Sequence, residues 1–285
     1  VRNEQDPPAG WVGKAWAVQQ GVEALRGMND FDPRWVCFTD ADIHWHPDCL
    51  RAALAHAAAH DAQLVCLLPR VDNQTAWERL ALSQMALAIG VVLPLDRAMD
   101  SDRPNDAIGA GAFLLVRREN YDAIGGHEAV KGQMVEDIEL TRALKRSGVR
   151  LRIAHTQTLL HCRMYEGLAD LWEGLTKNAF AALERSWLRF AALFAGTLIC
   201  NILPPVYVLA GALGWWLVDG EAAHLFGIAA LLGVVTLLWQ ARAMRAVRRV
   251  MAMPRRYVAS LPIGSAFYLL IVCASVGRHL RGRTE

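Results

Sequence analysis

Acidic side chains are nearly absent from the last 98 residues of this 285-residue chain: residues 188–285 hold three, against ten basic ones. That scarcity, together with three long apolar runs, excludes an ordinary solvated domain there and points to a basic membrane segment. The first 187 residues carry 25 acidic and 20 basic side chains and read as an acidic, mixed globular domain. Paired cysteines are also lacking. The six cysteines (Cys37, Cys49, Cys66, Cys162, Cys200 and Cys273) include no CxxC and lie mostly in apolar segments. This speaks against a disulfide framework and for reduced structural thiols in a cytoplasmic setting. No secretory leader is evident and the chain opens on Val1 rather than Met, so an N-terminal truncation is expected.

The apolar runs cover residues 190–218, 222–239 and 258–277, each long enough to cross a bilayer, the first kinked at Pro204-Pro205. Between the second and third lies QARAMRAVRRVMAMPRRY, a loop expected to stay cytoplasmic because it holds six arginines and no acid. The link Asp219–Glu221 then lies outside and residues 1–187 lie in the cytoplasm. Three full crossings would put the basic C-terminal stretch RHLRGRTE outside, against the same charge rule. Either one run does not cross fully or the tail is an exception.

In the globular part, Gly13–Gly27 has helical apolar spacing, RWVCFTD is a strand, PDCLRAALAHAAAHD a helix and QLVCLLPR a strand buried on both faces. Strand, helix and strand in this order predict a parallel crossover unit of an α/β sheet. Thr75–Leu95 is a buried or bilayer-grazing helix, and Asp96–Asp106 a polar, mobile loop. VEDIELTRALKRSG is an amphipathic helix with acids in its first turn, and two short strands follow it. Residues 166–187 repeat Leu168, Leu171, Trp172, Leu175 and Phe180 at helical spacing next to basic and aromatic residues, as an interfacial helix would. The resulting plan is a cytoplasmic domain over 1–165, an interfacial helix over 166–187 and a membrane domain over 188–285.

The stretch WVCFTDADIHWHPDCL concentrates the candidate chemistry. Asp40 and Asp42 stand at i and i+2, so on an extended chain both carboxylates project from one side. Two hard oxygen donors at a strand end suit Mg²⁺ or Mn²⁺ that keeps water and substrate phosphates. The competing reading is a strand end running through His44, His46 and Pro47 into the next helix, with both histidines structural.

Gly13-Lys14 opening a helix, the Asp40–Asp42 DAD, the glycine approach GAGAFLLVRR from Gly109, and Glu136-Asp137 opening another helix occur in this order. Together they resemble the family 2 inverting glycosyltransferases of the GT-A fold, over residues 10–187. GWVGKAWA, FTDADI and GQMVEDIELTRALKRSG look more narrowly like the bacterial hopene-associated membrane glycosyltransferases. The resemblance implies a mixed, mainly parallel α/β sheet with flanking helices, followed by interfacial and transmembrane helices. It implies donor contacts from Gly13, Lys14, Asp40 and Asp42, with Asp42 and Asp40 holding a divalent cation. It makes Asp137 the general base with Glu136 beside it, and gives Gly109, Gly111 and Lys177 to the acceptor. Lys177 stands where processive relatives carry Q-x-x-R-W; here that place reads GLTKN, so transfer of one sugar is expected rather than polymerisation.

The implied activity moves a sugar from a nucleotide sugar, a UDP-sugar first among them, to a membrane lipid related to hopanoids, at the inner membrane of a bacterium and without nucleic acid. A polysaccharide synthase and an inactive membrane scaffold are the alternatives. The family's first strand, with nucleobase contacts, should precede residue 10. Duller readings stand beside these: Lys14 as a solvated helix-end lysine, and Glu136 and Asp137 as acids favoured by a helix dipole. His161 and Arg163 fit a phosphate contact or a sheet-edge role equally.

Overall fold

The structure, a computed structural model, describes residues 6–28, 33–92, 95–101, 103–133, 135–183 and 185–281. In chain order, α1 (Gly13–Arg26) is followed by β1 (Trp35–Phe38), β2 (Ile43–Trp45), α2 (Cys49–Ala59), β3 (Leu64–Leu68) and β4 (Arg70–Val71). Next come α3 (Ala76–Val92), α4 (Leu95–Asp100), β5 (Leu114–Arg117), α5 (Arg118–Ala123), α6 (Glu136–Arg146), β6 (Leu151–His155) and β7 (Leu160–Cys162). The remainder is helical: α7 (Gly167–Ala182), α8 (Trp187–Thr197), α9 (Pro204–Leu217), α10 (Glu221–Val250) and α11 (Leu261–Leu280). Contacts divide the chain into two compact units, Val1–Arg70 with Gly90–Cys162, and Val71–Ile89 with Arg163–Glu285. By its packing, Val71–Ile89 therefore belongs with the C-terminal part rather than with the expected 1–165 domain.

The first unit is α/β. Its main sheet has the order β1-β5-β3-β6, in which β3 and β6 pair in parallel while β5 lies antiparallel between β1 and β3. Three of the four strands thus run the same way, but β1 and β3 are not neighbours as a simple crossover would have them. β3 shows why the sheet is covered on both faces. Leu64 and Cys66 alternate with Val65 and Leu67. The first pair packs with Val22 of α1, Tyr121 of α5, and Leu140 and Leu144 of α6. The second pair packs with Phe113, Leu115 and the small side chains Ala53 and Ala57 of α2.

Two expectations fail here for local reasons. Ile43–Trp45 forms a strand rather than a turn into α2, because it pairs antiparallel with β7, His44 opposite His161. Those two imidazoles stack with centroids 4.9 Å apart. The polar segment after residue 95 forms α4 and a 3₁₀ turn at Pro104–Asp106 rather than a mobile loop. The Asp106 carboxylate stitches it together by accepting from Ser101 Oγ at 2.6 Å and Arg97 Nε at 3.1 Å.

The second unit is all-helical. Glu78, fully buried, closes a capping box at the start of α3: its Oε2 accepts from Thr75 N–H at 3.2 Å while Thr75 Oγ1 accepts from Glu78 N–H. Its Oε1 accepts from Gly167 N–H at 2.9 Å, tying α3 to the first turn of α7. Arg163, one candidate phosphate contact, is engaged in ion pairs with Glu78 and Glu166 instead. Leu82, Leu171, Leu175, Met244 and Ile271 form the core of this unit.

Two helices, α10 and α11, are long and apolar enough to cross a membrane; α8 and α9 together would make a third, bent by 51°. α10 continues through most of the arginine-rich stretch expected to be a loop, because its Ala, Arg and Met residues are good helix formers. The bend has an identifiable cause. Pro204 and Pro205 lack the N–H groups that the carbonyls of Cys200 and Asn201 would otherwise receive four residues on. Gln240 of α10 supplies the missing donor: its Nε2 lies 2.8 Å from Cys200 O and 3.3 Å from Asn201 O. The smallness of Gly211 and Gly233 lets α9 and α10 close on one another, since a Cβ on Gly211 would lie 2.6 Å from Ala230 N. Gln240→Leu is therefore expected to orphan both carbonyls and lower unfolding stability by about 1–2 kcal/mol. Denaturation of the full chain in bicelles checks this, with Gln240→Asn recovering part of the loss only if its shorter amide still reaches.

Candidate active site

Four separate segments of the first unit converge on one cavity of about 260 Å³. Lys14 enters from the first turn of α1, Asp40 from the chain just beyond β1, Gly111 from the approach to β5, and Glu136 and Asp137 from the first turn of α6. The position of Glu136 follows from helix periodicity. It shares the buried face of α6 with Leu140 and Leu144, at i, i+4 and i+8, so packing those leucines against the sheet carries the carboxylate inward.

Lys14 Nζ lies 2.8 Å from Asp40 Oδ1 and 2.8 Å from Glu136 Oε1. Partial burial alone would lower its pKa, but the hydrogen bonds and charges of the two carboxylates outweigh that and raise it. Its ammonium is thus fixed as a cation. Asp137 behaves differently. Its Oδ2 accepts from Gly111 N–H at 2.7 Å and its Oδ1 from Ile138 N–H at 2.8 Å. Burial nevertheless raises its pKa, aided by the neighbouring Glu136 charge and opposed by those two N–H groups and Lys14. The result is an oriented carboxylate of increased basicity. The Ile138 bond also satisfies a first-turn donor, so the helix-end reading holds for one oxygen.

Two glycines have different jobs. A Cβ on Gly111 would lie 2.9 Å from both Asp40 oxygens and 3.0 Å from Lys14 Nζ, so only hydrogen leaves room for that ion pair. Gly109 is buried, and a Cβ there would overlap the Thr141 hydroxyl and the Asp137 carbonyl. Its smallness seats α6 against the strand rather than opening a path for an acceptor. Gly13 is exposed, and a Cβ there would meet nothing within 4 Å. Asp42 is exposed in the turn before β2 and has no hydrogen bond or ion pair among the described residues. Because β1 ends at Phe38, the alternation expected to align Asp40 with Asp42 does not apply. Lys177 lies exposed on α7 of the second unit.

His127 also lines the cavity, and sequence reading overlooked it. It is buried, with Nδ1 2.8 Å from Tyr121 Oη, which also accepts from His127 N–H at 3.0 Å. A buried phenol that already accepts one N–H is best satisfied by donating to Nδ1, leaving the proton of neutral His127 on Nε2. Burial lowers this imidazole to about 4, so it is neutral at physiological pH. The signal in the sequence was the Gly-Gly pair before it. Gly126 has a φ of +60°, and a Cβ there would lie 2.7 Å from the Tyr121 ring. The thiols sit in apolar surroundings, burial pushing Cys37 and Cys66 up to about 12, as structural cysteines require.

Among the described residues no group of three His, Cys, Asp or Glu side chains is disposed to hold a metal ion. Asp40 is already engaged by Lys14 Nζ at 2.8 Å, and Asp42 stands exposed in the turn that follows; an ion of the Mg²⁺ type would need to complete its shell there with water and substrate phosphates.

Residues 5–189 match the model of the family described as Glycosyltransferase like family 2. A 4,4'-diaponeurosporenoate glycosyltransferase of Staphylococcus aureus (strain MRSA252) is 23% identical over 194 residues. The match takes in 67% of this chain and 46% of that protein, so the chain spans about half the length of this relative.

Gly109→Ala is expected to cost about 1–3 kcal/mol of stability through overpacking against α6. Thermal unfolding of the detergent-solubilised protein reads this out, and an unchanged midpoint would refute the close packing.

Proposed function

Since the chain belongs to glycosyltransferase family 2, we propose that it transfers a single sugar, with inversion, from a nucleotide-sugar donor to a lipid acceptor. The observation that carries this reading is the convergence of Lys14, Asp40, Glu136 and Asp137 on one cavity. In the proposed step the acceptor oxygen attacks the anomeric carbon and Asp137 takes its proton. The bond from that carbon to the nucleoside diphosphate breaks, and the electron pair leaves on the phosphate oxygen. Lys14 stabilises the charge developing there. A divalent cation at Asp40 and Asp42, when bound, would add Lewis-acid stabilisation of the same diphosphate.

Glu136 keeps Lys14 in position and, by its charge, supports the basicity of Asp137. The Nε2–H of His127 is a donor for a sugar or phosphate oxygen. Gly111 leaves room for the Asp40–Lys14 pair and aims its N–H at the base, and Lys177 remains a candidate for the acceptor's polar end. A UDP-sugar is the first donor to try and a hopanoid the first acceptor. The relative is named for acting on a carboxylate, 4,4'-diaponeurosporenoate, so lipid acids belong in the acceptor panel. The arginines at the C-terminal end of α10 favour a multi-pass protein of a bacterial inner membrane, its first unit facing the cytoplasm.

The test supplies native membranes carrying the full-length protein with radiolabelled nucleotide sugars and Mn²⁺ or Mg²⁺, followed by chromatography of the lipid extract. A labelled lipid is expected, reduced roughly 10²–10⁴-fold by Asp137→Asn. Label in a high-molecular-weight polymer would instead make the protein a synthase, and label in no lipid would overturn the acceptor class. The pH profile carries a second prediction. Activity needs Asp137 ionised, and its pKa is raised, so the acid limb of kcat/KM is expected above the ordinary aspartate value of about 3.9. Removing the nearby cation in Lys14→Met should move that limb to still higher pH. A limb that stays put in this variant would separate Lys14 from the base.

A further inference from the structure

The second unit contains a groove of about 1410 Å³ between α7 and α11, with Trp77 of α3 at its end. It is larger than pockets built for drug-sized molecules, and its two ends differ. At one end are Trp77, Trp172 and Phe267, with the Phe267 ring centroid 5.0 Å from that of Trp77 and 6.3 Å from that of Trp172. At the other end, eleven and fourteen residues further along α11 and its C-terminus, are Arg278 and Arg281. At 1.5 Å per residue the first step alone is roughly 16 Å. Leu270 lies between them and is 61% exposed; Trp77 and Trp172 are also exposed. Large apolar side chains left open along such a channel offer an acyl chain a surface to lie against.

Glu173 also lines the basic end of the groove, but its carboxylate makes no ion pair with either arginine among the described residues. Arg278 donates to Thr176 Oγ1 at 2.8 Å and to the Glu173 carbonyl at 3.4 Å, both neutral acceptors. Neither arginine forms an ion pair with a carboxylate among the described residues. Two guanidinium groups at the end of an apolar channel, on a helix long and apolar enough to cross a membrane, match an anion that carries a long hydrocarbon chain.

We propose that this groove binds an anionic phospholipid of the surrounding bilayer, its phosphate at Arg278 and Arg281 and a chain running past Leu270 to Phe267, Trp172 and Trp77. The site does not depend on the proposed sugar transfer, and its test measures binding alone. The full-length protein in neutral detergent micelles is titrated with pyrene-labelled phosphatidylglycerol, and binding is followed by energy transfer from tryptophan. Phosphatidylcholine with the same chains serves as the neutral probe.

Phosphatidylglycerol is expected to bind more tightly than phosphatidylcholine, with the preference falling roughly tenfold to thirtyfold in the variant combining Arg278→Gln and Arg281→Gln. Ala274→Trp, which fills the groove without touching charge, should weaken both lipids. Circular dichroism and a retained unfolding midpoint show that each variant is folded; a variant that fails this is replaced by Arg281→Gln alone, which removes an exposed side chain that has no hydrogen bond or ion pair among the described residues. Equal binding of the two lipids, or indifference to both the arginine and the tryptophan substitutions, would overturn the proposal. Displacement by millimolar inorganic phosphate would overturn it too, since the site would then recognise a free anion rather than a lipid.

Discussion

Lys14 holds together two carboxylates that lie 96 residues apart in sequence, one on a loop after β1 and the other on the buried face of α6. Without that ammonium, Asp40, Glu136 and Asp137 would crowd three carboxylates into one cavity with no cation between them. With it, one ammonium is shared between two of the three carboxylates, and Asp137 is left to the backbone N–H groups of Gly111 and Ile138. The Asp40–Lys14 half of the pairing is possible only because Gly111 has no side chain where those two groups meet. Charge, shape and chain path are therefore one constraint, and the placement of Asp137 follows from it through the Gly111 N–H.

Much of the site was legible because each part sits at the end of a regular element with a strong local signature. Gly13-Lys14 heads a helix, the DAD follows an apolar strand, and Glu136-Asp137 opens the most amphipathic helix of the first unit. Sheet order was not legible. β5 enters between β1 and β3 through pairings with residues 48–82 positions away, and a strand's own pattern does not name its neighbour. β2 was missed because three residues give no usable periodicity and its partner β7 lies more than a hundred residues on. Likewise, the division of labour between Gly109 and Gly111 needs coordinates, since a glycine that seats a helix and one that spares an ion pair look identical in sequence. His127 is hidden for the same reason: only the coordinates show that the Tyr121 hydroxyl engages its Nδ1 and leaves Nε2 without that partner.

The helical unit shows the same rule in an apolar setting. Hydropathy located the membrane-compatible segments, and Pro204-Pro205 announced a break. Nothing local could say that Gln240, forty residues away, serves the carbonyls the prolines leave without donors. Charge counting mistook the arginine-rich stretch for a loop because it weighs where positive residues reside, not whether the backbone between them prefers to coil. A helix carrying arginines on its last turns satisfies both demands at once.

The buried carboxylate of Glu78 and the amide of Gln84 join α3 to partners that the ribosome makes much later. Gln84 Oε1 accepts from Ser265 Oγ across 181 residues. At about 5–20 residues per second, that partner emerges roughly 9–36 s after the helix it completes. For that interval an apolar helix with a polar face meant for other helices stands unsheltered, in the middle of a domain whose own strands arrive on either side of it. The order of synthesis therefore leaves α3 without these partners until α11 has been made, and only then can the helical unit close around it.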